Sequence, residues 1–388
     1  PGHIRLLTLA IPDHDPWLID LRAIGDDLGK LGKTLGQVEI IAHNAKFDLQ
    51  WLRQRCGLIL PNVFCTFTAS KLLTTGDYEA RNDLKTCLSQ WLDLDLDKDQ
   101  AKSDWGSMML MPEQLEYAAK DVAHLRALKE KLQDAIAEAG LKEVCELEMQ
   151  LLPVVVDIEA RGFAVNREIL ENIGEECRQR SLPLEAQLHD LFGNPINLES
   201  PKQLKEAFKE IGVNIPNTNA ATMANTDHEA ARLLLEYREV IKQKQQVETL
   251  LKATGPDERI HGQFKPTATD TGRFSSSNPN MQNVSRGEIR RAFIAAPGCQ
   301  LVIADYSQIE LRAAAVIAED KTMLAAYQSG EDIHARTAAS ILGKPIKQVT
   351  KQDRQLAKAV NFGLLYGQLP RGLVQYAKSG FEVDLTDE

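Results

Sequence analysis

The chain has 388 residues, 43% of them hydrophobic and 26% charged, which suits a soluble globular protein of two or three domains at about 100–200 residues each. Its formal charge of −10 is unevenly spread: residues 251–388 hold 17 Lys and Arg against 15 Asp and Glu, the remainder 28 against 40. No apolar run approaches the roughly 20 residues that span a bilayer, no signal peptide is present, and six scattered cysteines without a CxxC pair argue against a zinc site or a disulfide framework and fit a reducing cytosol.

The first residues are Pro1 and Gly2, not methionine, so the natural N-terminus is expected further upstream. Residues 4–10 (IRLLTLA), 17–20 (WLID) and 38–42 (VEIIA) read as short strands, the last running into a helix over 47–53. Helical patterns follow at 66–74, 84–91 and 113–138. Strands mixed with helices predict an α/β unit over about 1–140. A helix-rich stretch comes next: 146–160, closed by Arg161-Gly162, then an amphipathic 200–211 and a long charged helix at 227–251, with a loop at 212–226 between them. From about 258 the chain turns rich in Thr, Ser, Asn and Gly, with a strand expected at 300–305 and helices at 307–318, 333–341 and 350–366. Between Arg259 and Arg291 there are six basic and two acidic side chains. Such a stripe attracts phosphate locally whatever the overall sign, although an unevenly charged surface alone can produce one.

Five segments carry residues suited to chemistry. In LVIADYSQIELR (301–312) an apolar strand would deliver Asp305 to its end, beside a helix start. A carboxylate there can hold a divalent metal for phosphoryl transfer, or merely cap the helix. In DRQLAKAVNFGLLYG (353–367), Arg354, Lys358, Phe362 and Tyr366 are spaced by four and share a helical stripe. Two cations followed by two rings suit a nucleoside triphosphate, while a cation stacked on a ring is the plainer alternative. TATDTGRFSSSNPNMQNV (267–284) crowds hydroxyl and amide side chains around Arg273; these can donate to phosphate, sugar and minor-groove acceptors, or simply make a polar surface loop. IIAHNAKFDLQWL (40–52) sets Asn44 and Asp48 one turn apart, and YAAKDVAHL (117–125) does the same with Tyr117 and Asp121. Acidic residues from separate elements are what a two-metal nuclease needs, yet exposed helical aspartates are common.

Taken together, these strings resemble a known family. DYSQIELR looks like motif A of family A DNA polymerases, R-x3-K-x3-F-x3-Y-G like their motif B, and TGR-x-SS-x-x-PN-x-QN like their primer–template loop. EMQLLPVVVDIEARGFAVN resembles the approach to their thumb, and LEYREVIKQKQ a thumb helix. The Asn44/Asp48 and Tyr117/Asp121 strings resemble the second and third motifs of the DEDDy-type 3'-5' exonucleases, and the tract LDKDQAKSDW, ending at Trp105, is also similar to that superfamily, ribonuclease D included. The resemblance implies a ribonuclease H-like α/β exonuclease domain (1–140) and a mixed α+β right-hand polymerase domain (141–388). The latter would divide into a thumb at about 150–265, a palm at 266–330 and fingers at 331–388.

The resemblance also implies roles. Asp305 would hold both catalytic metals with the Tyr306 carbonyl as a further ligand, and Glu310 would exclude a ribose 2′-hydroxyl. Arg354 and Lys358, helped by His334, would bind the triphosphate. Phe362 would line the sugar pocket, and Tyr366 would stand by the nascent pair. Arg273, Asn280, Gln282 and Asn283 would contact primer and template, and Arg238 and Lys242 the duplex. In the exonuclease site, Asp48 and Asp121 would bind metal, Tyr117 would position the attacking water and Asn44 would meet the substrate. Implied cofactors are two Mg²⁺ ions per active site, with Mn²⁺ as a substitute. Implied partners are primer–template DNA and dNTPs, for a monomer acting in the bacterial cytoplasm.

Two family elements depart from the pattern. A DxE motif is expected just before Ile4, and an HDE-type motif with the second polymerase aspartate beyond Glu388. A fragment lacking both is expected to polymerise and proofread poorly. A degenerate exonuclease domain kept as scaffold is the alternative at the N-terminal end. Two further readings compete with the bifunctional enzyme: a ribonuclease D-like exonuclease with a helical tail, against which motifs A and B speak, and a non-catalytic DNA-binding module.

Overall fold

Leu6–Leu9 and Trp17–Asp20 pair antiparallel, with Leu6 opposite Asp20, and Ile40–Ala42 pairs parallel with Val63–Cys65. A parallel pair needs a crossover, which the helix Ala45–Cys56 supplies. That helix ends at Gly57 in the left-handed region (φ 63), where the Gly57 and Leu58 N–H groups donate back to the Arg53 and Leu52 carbonyls at 3.1 and 3.2 Å. The computed structural model describes residues 2–96, 99–370 and 372–374.

Helices Thr66–Leu73 and Leu84–Leu92 stand where the apolar spacing predicts them, the second capped by Asp83. The single helix expected over 113–138 is instead two, Pro112–Ala123 and Leu125–Glu138, broken at His124 (φ −106, ψ 2). No glycine or proline marks the break. Past it, Leu128, Leu132 and Ile136 recur every four residues and bury against Leu88, Phe64 and Met149 in one core. Burying each such side chain contributes about 1.5–3 kcal/mol.

Helix Lys142–Arg161 stops at Gly162 (φ 60). A Cβ there would stand 2.8 Å from His261 Nδ1 and 2.9 Å from the Ile260 carbonyl, so the close approach of 260–261 requires glycine. Phe163–Ala164 then pairs with Arg259–Ile260, and Gln263–Lys265 forms a hairpin with Ser275–Ser277, Gln263 opposite Ser277. Helices Arg167–Phe192 and Glu229–Ala253 run 26 and 25 residues. The predicted 200–211 helix spans Pro201–Glu210 under a Ser200 cap, and the expected loop at 212–226 contains a short helix, Ala220–Ala224.

Four helices follow: Ile309–Ile317, Lys321–Gln328, Ile333–Leu342 and Lys351–Leu365. Leu311, Ala326 and Ile333 form their core, with Met323, Tyr327 and Phe362 packed against it. The strand expected at 300–305 is not formed. Val302 and Ile303 are 90% and 91% exposed. Pattern alone does not make a strand: its backbone needs a paired neighbour, and no described strand pairs with this segment.

The chain divides into two compact units, one comprising the residues up to Glu185 together with Tyr237–Cys299, the other Ala186–Glu236 with the residues from Gln300 on. No helix among the described residues is long and apolar enough to cross a membrane.

Candidate functional site

In the second unit, three separated sequence segments converge on one open cleft of about 410 Å³. Asp305, Tyr306 and Glu310 line it from one side, with Ser307, Gln308 and Ile309; His334, Arg354, Lys358 and Phe362 complete it. Seven of the residues singled out in the sequence thus share one cavity. Gln308, left-handed at φ 55, begins the helix Ile309–Ile317 with no side-chain cap, so Asp305 does not cap it and its carboxylate stays exposed beside the cleft. The turn is fixed from outside. Tyr327 donates its hydroxyl to Gln308 Oε1 at 3.2 Å, and Arg312, stacked 4.3 Å over the Tyr327 ring, donates Nε to the Ser307 carbonyl at 2.9 Å.

The helix Lys351–Leu365 begins in a capping box between Thr350 and Asp353. Lys344 also pairs with Asp353, and the lysine and threonine contacts hold the Asp353 carboxyl down at about 2. On the predicted stripe, Arg354 donates Nε to Asp332 Oδ2 at 2.6 Å rather than stacking on a ring. Asp332 also caps helix Ile333–Leu342 through its Oδ1, accepting from the His334 and Ala335 N–H groups at 2.9 and 3.1 Å. Neither Asp332 nor its double duty is legible from spacing. His334 is buried, 1% exposed, and accepts at Nδ1 from Asn361 Nδ2 at 3.0 Å. Burial first, and then the charges of Arg354 and Lys358, push its pKa below the usual histidine range. The ring is therefore neutral at pH 7, with its proton on Nε2. Phe362 lies 5.8 Å from His334 and stacks on Tyr366 at 6.3 Å and 16°. Tyr366 donates its hydroxyl to Glu310.

The residues expected to contact a duplex lie in the first unit. Arg273 sits in the loop of the 263–277 hairpin, exposed, with Asn280, Gln282 and Asn283 exposed just beyond it. Asn280 accepts from the Gln282 N–H at 3.0 Å. Arg238, half-buried, and Lys242, exposed, share a helical stripe with Gln246, four residues further on. Gln246 grips the backbone just past this loop, donating to the Asn283 carbonyl at 2.8 Å and accepting from the Ser285 N–H at 2.9 Å. The contact joins residues 37 apart in sequence, so spacing along the helix does not reveal it.

Also in the first unit are the nuclease candidates. Asn44, left-handed at φ 58, precedes helix Ala45–Cys56, and Asp48 stands in its first turn. Asp48 keeps an exposed edge, yet protein packed around its carboxyl raises the pKa to about 6, against a smaller lowering by its own N–H. Tyr117 is half-buried and bonded to Asp121; burial, then the aspartate charge and that hydrogen bond push its hydroxyl up to about 12. Its ring lies 6.1 Å from Trp105. Part of the tract before Trp105, Asp97 and Lys98, lies outside the described residues. Among the described residues no three His, Cys, Asp or Glu side chains converge to hold a metal. The polymerase cleft offers one exposed Asp and a neighbouring carbonyl, which fits the way Mg²⁺ binds through one or two carboxylates plus substrate phosphates.

Comparison with known proteins agrees with the motifs. The family model for DNA polymerase family A matches residues 167–382, and that for 3'-5' exonuclease matches residues 8–137. DNA polymerase I of Aquifex aeolicus is 35% identical over 412 residues, covering 99% of this chain and 70% of that protein. DNA polymerase I of Chloroflexus aurantiacus is 33% identical, covering 89% of the chain but 39% of that protein; for Bacillus subtilis the figures are 35%, 67% and 32%. The chain therefore spans about a third of the length of several relatives. The POL domain of Pol1 from M. smegmatis, solved in complex with DNA primer-template and dNTP, superposes with a TM-score of 0.83 at 27% identity, covering 98% of this chain and 68% of that one. Family membership implies divalent-metal chemistry in general terms. The chain belongs to DNA polymerase family A, with a 3'-5' exonuclease domain ahead of its polymerase domain.

Proposed function

We propose that the chain serves DNA-templated DNA synthesis from dNTPs, with 3'-5' excision of the primer end, acting as a monomer on primer–template DNA in the cytoplasm. The observation that carries this is the gathering of Asp305, Tyr306, Glu310, His334, Arg354, Lys358 and Phe362 around one cleft. A triphosphate entering it would meet Arg354 and Lys358 and exchange the Asp332 partner of Arg354 for phosphate oxygens. Neutral His334 would offer Nε2–H to a phosphate oxygen. Glu310, tied to Tyr366, would close the space where a 2′-hydroxyl would project, and Phe362 would pack on the sugar. Asp305 and the Tyr306 carbonyl would hold Mg²⁺, which when bound supplies activation of the primer 3′-hydroxyl and charge neutralisation of the triphosphate. Arg273, Asn280, Gln282, Asn283, Arg238 and Lys242 would hold the duplex. Asn44, Asp48, Tyr117 and Asp121 would act on the unpaired primer end, Asp48 and Asp121 toward metal and Tyr117 toward the attacking water. The domain limits proposed are 1–140 and 141–388.

Primer extension and 3'-end degradation, measured with Mg²⁺ on the same labelled primer–template, test this. In a protein that carries the DxE and HDE-type motifs together with this chain, Asp305→Ala should remove extension and leave degradation; extension at a near-normal rate would overturn the assignment. A gel shift without either activity would favour a DNA-binding module instead.

A further inference from the structure

The hairpin that carries Arg273 is fastened to the helix that carries Asn44 and Asp48 by a closed ring of polar contacts within the first unit. Lys46, between those two residues, donates Nζ to Glu159 Oε1 at 2.7 Å and to the Phe264 carbonyl at 2.9 Å. Glu159 Oε1 also accepts from the Phe264 N–H, so both backbone polar groups of Phe264, in the strand Gln263–Lys265, are claimed. The other oxygen of Glu159 accepts from Gln50, one turn beyond Lys46 on the same helix. Glu159 is 5% exposed, and its own carbonyl accepts from His261 Nδ1 at 2.8 Å, next to the close approach at Gly162. A second tie runs from Tyr78, which donates its hydroxyl to Asp270 at the tip of the hairpin loop.

A buried carboxylate with both oxygens engaged and a lysine bridging helix to strand hold position firmly, because breaking either contact strands a charge away from water. We propose that Lys46 and Glu159 are positioning residues that make the Arg273 hairpin and the Asp48 helix one mechanical body, so that a primer end passes between synthesis and excision with the hairpin held in register. This deepens the function proposed above and rests on its reading of Arg273 and Asp48.

The test uses the full chain as wild type, Lys46→Met, Lys46→Arg and the charge-free pair Lys46→Met with Glu159→Gln, which leaves no buried charge unpaired. Hydrogen–deuterium exchange should quicken about tenfold, the scale of one lost charged hydrogen bond, in both 45–56 and 263–277 for the Met variants. It should stay unchanged in the core helices 84–92 and 125–138, and Lys46→Arg should exchange as wild type does. With primer–template carrying 2-aminopurine at the primer 3′ end, the Met variants should shift the frayed fraction about threefold, the scale of coupling through a contact network, at unchanged affinity. Exchange rising in 45–56 alone, or Lys46→Arg behaving as Lys46→Met, overturns the joint. A loosened hairpin with an unmoved frayed fraction overturns its part in primer transfer. If wild-type chain binds no primer–template, the function reading and the transfer role fail together, and the exchange result still decides the joint by itself.

Discussion

The polymerase cleft and the nuclease candidates are built from similar chemistry and differ in how far the local chain assembles them. In the cleft, Asp305–Glu310 is one short stretch of chain, Arg354, Lys358 and Phe362 come from one helix and His334 from another, and these three segments meet through Leu311, Ile333 and Phe362. On the nuclease side, Asp48 and Asp121 belong to separate helices, one turn from Asn44 and Tyr117 respectively. A helix can pre-set residues four apart at almost no cost; two carboxylates on different elements depend on whatever else holds those elements. The side of the cleft lined by Arg354, Lys358 and Phe362 should therefore tolerate perturbation elsewhere, whereas the nuclease candidates should be sensitive to it.

That contrast can be broken experimentally. The largest effect should come from Asp305→Ala, which, in a protein that carries the DxE and HDE-type motifs as well, should lower extension by about 10³-fold, the upper scale for removing one preorganised charge-stabilising group, without changing 3'-end degradation. Arg354→Ala should raise the dNTP concentration at half-saturation by about 10- to 100-fold, the equivalent of one charged hydrogen bond at 1.5–3 kcal/mol, and steady-state titration would read it. Asp332→Asn would sharpen this: it keeps the helix cap, frees Arg354 from its counter-ion, and should move the same half-saturation by only a few-fold.

Acid should separate the regions next. The Asp353 carboxyl is depressed to about 2 from an unfolded value near 3.9. Its contribution is therefore fully present above about pH 4 and is lost as pH falls through about 2. Loss of helix Lys351–Leu365 on acidification, followed by exchange or far-UV dichroism, should show this step in wild type and lack it in Asp353→Asn. The smallest effect concerns Tyr117. Its hydroxyl is raised to about 12, so it stays protonated through pH 11, and its stabilisation is present below about pH 10 and lost as pH rises through 12. Tyr78 and Tyr327 are also pushed up, so the check is a 295 nm titration in which wild type shows one more late-titrating tyrosine than Tyr117→Phe.

Much of this organisation is legible in the sequence where a signal is local. Asp83 and Ser200 announce their helices, and the four-residue stripe from Arg354 finds its cleft. What escapes is non-local or too short. Val63–Cys65 has three residues, all buried, and so shows no alternation. Helix Arg167–Phe192 hides behind Pro183, a residue that ordinarily signals an end. The apolar run at 301–303 reads as a strand, but no described neighbour pairs with it, so the backbone stays extended to solvent. Asp332, Asn361, Gln246 and Glu159 matter through partners 22, 27, 37 and over 100 residues away, distances at which periodicity carries no information.

The interruption at His124 bears on how this chain can vary in length. An α-helix turns about 100° per residue, so one residue inserted between Tyr117 and Asp121 would swing them onto different faces and end their pairing. The same insertion at position 124 falls where helical phase is already reset. Leu128, Leu132 and Ile136 could keep their seats while Tyr117 and Asp121 kept their aim. The break thus works as a phase insulator, letting the buried half of this helical stretch drift in length without steering the pair that lies before it.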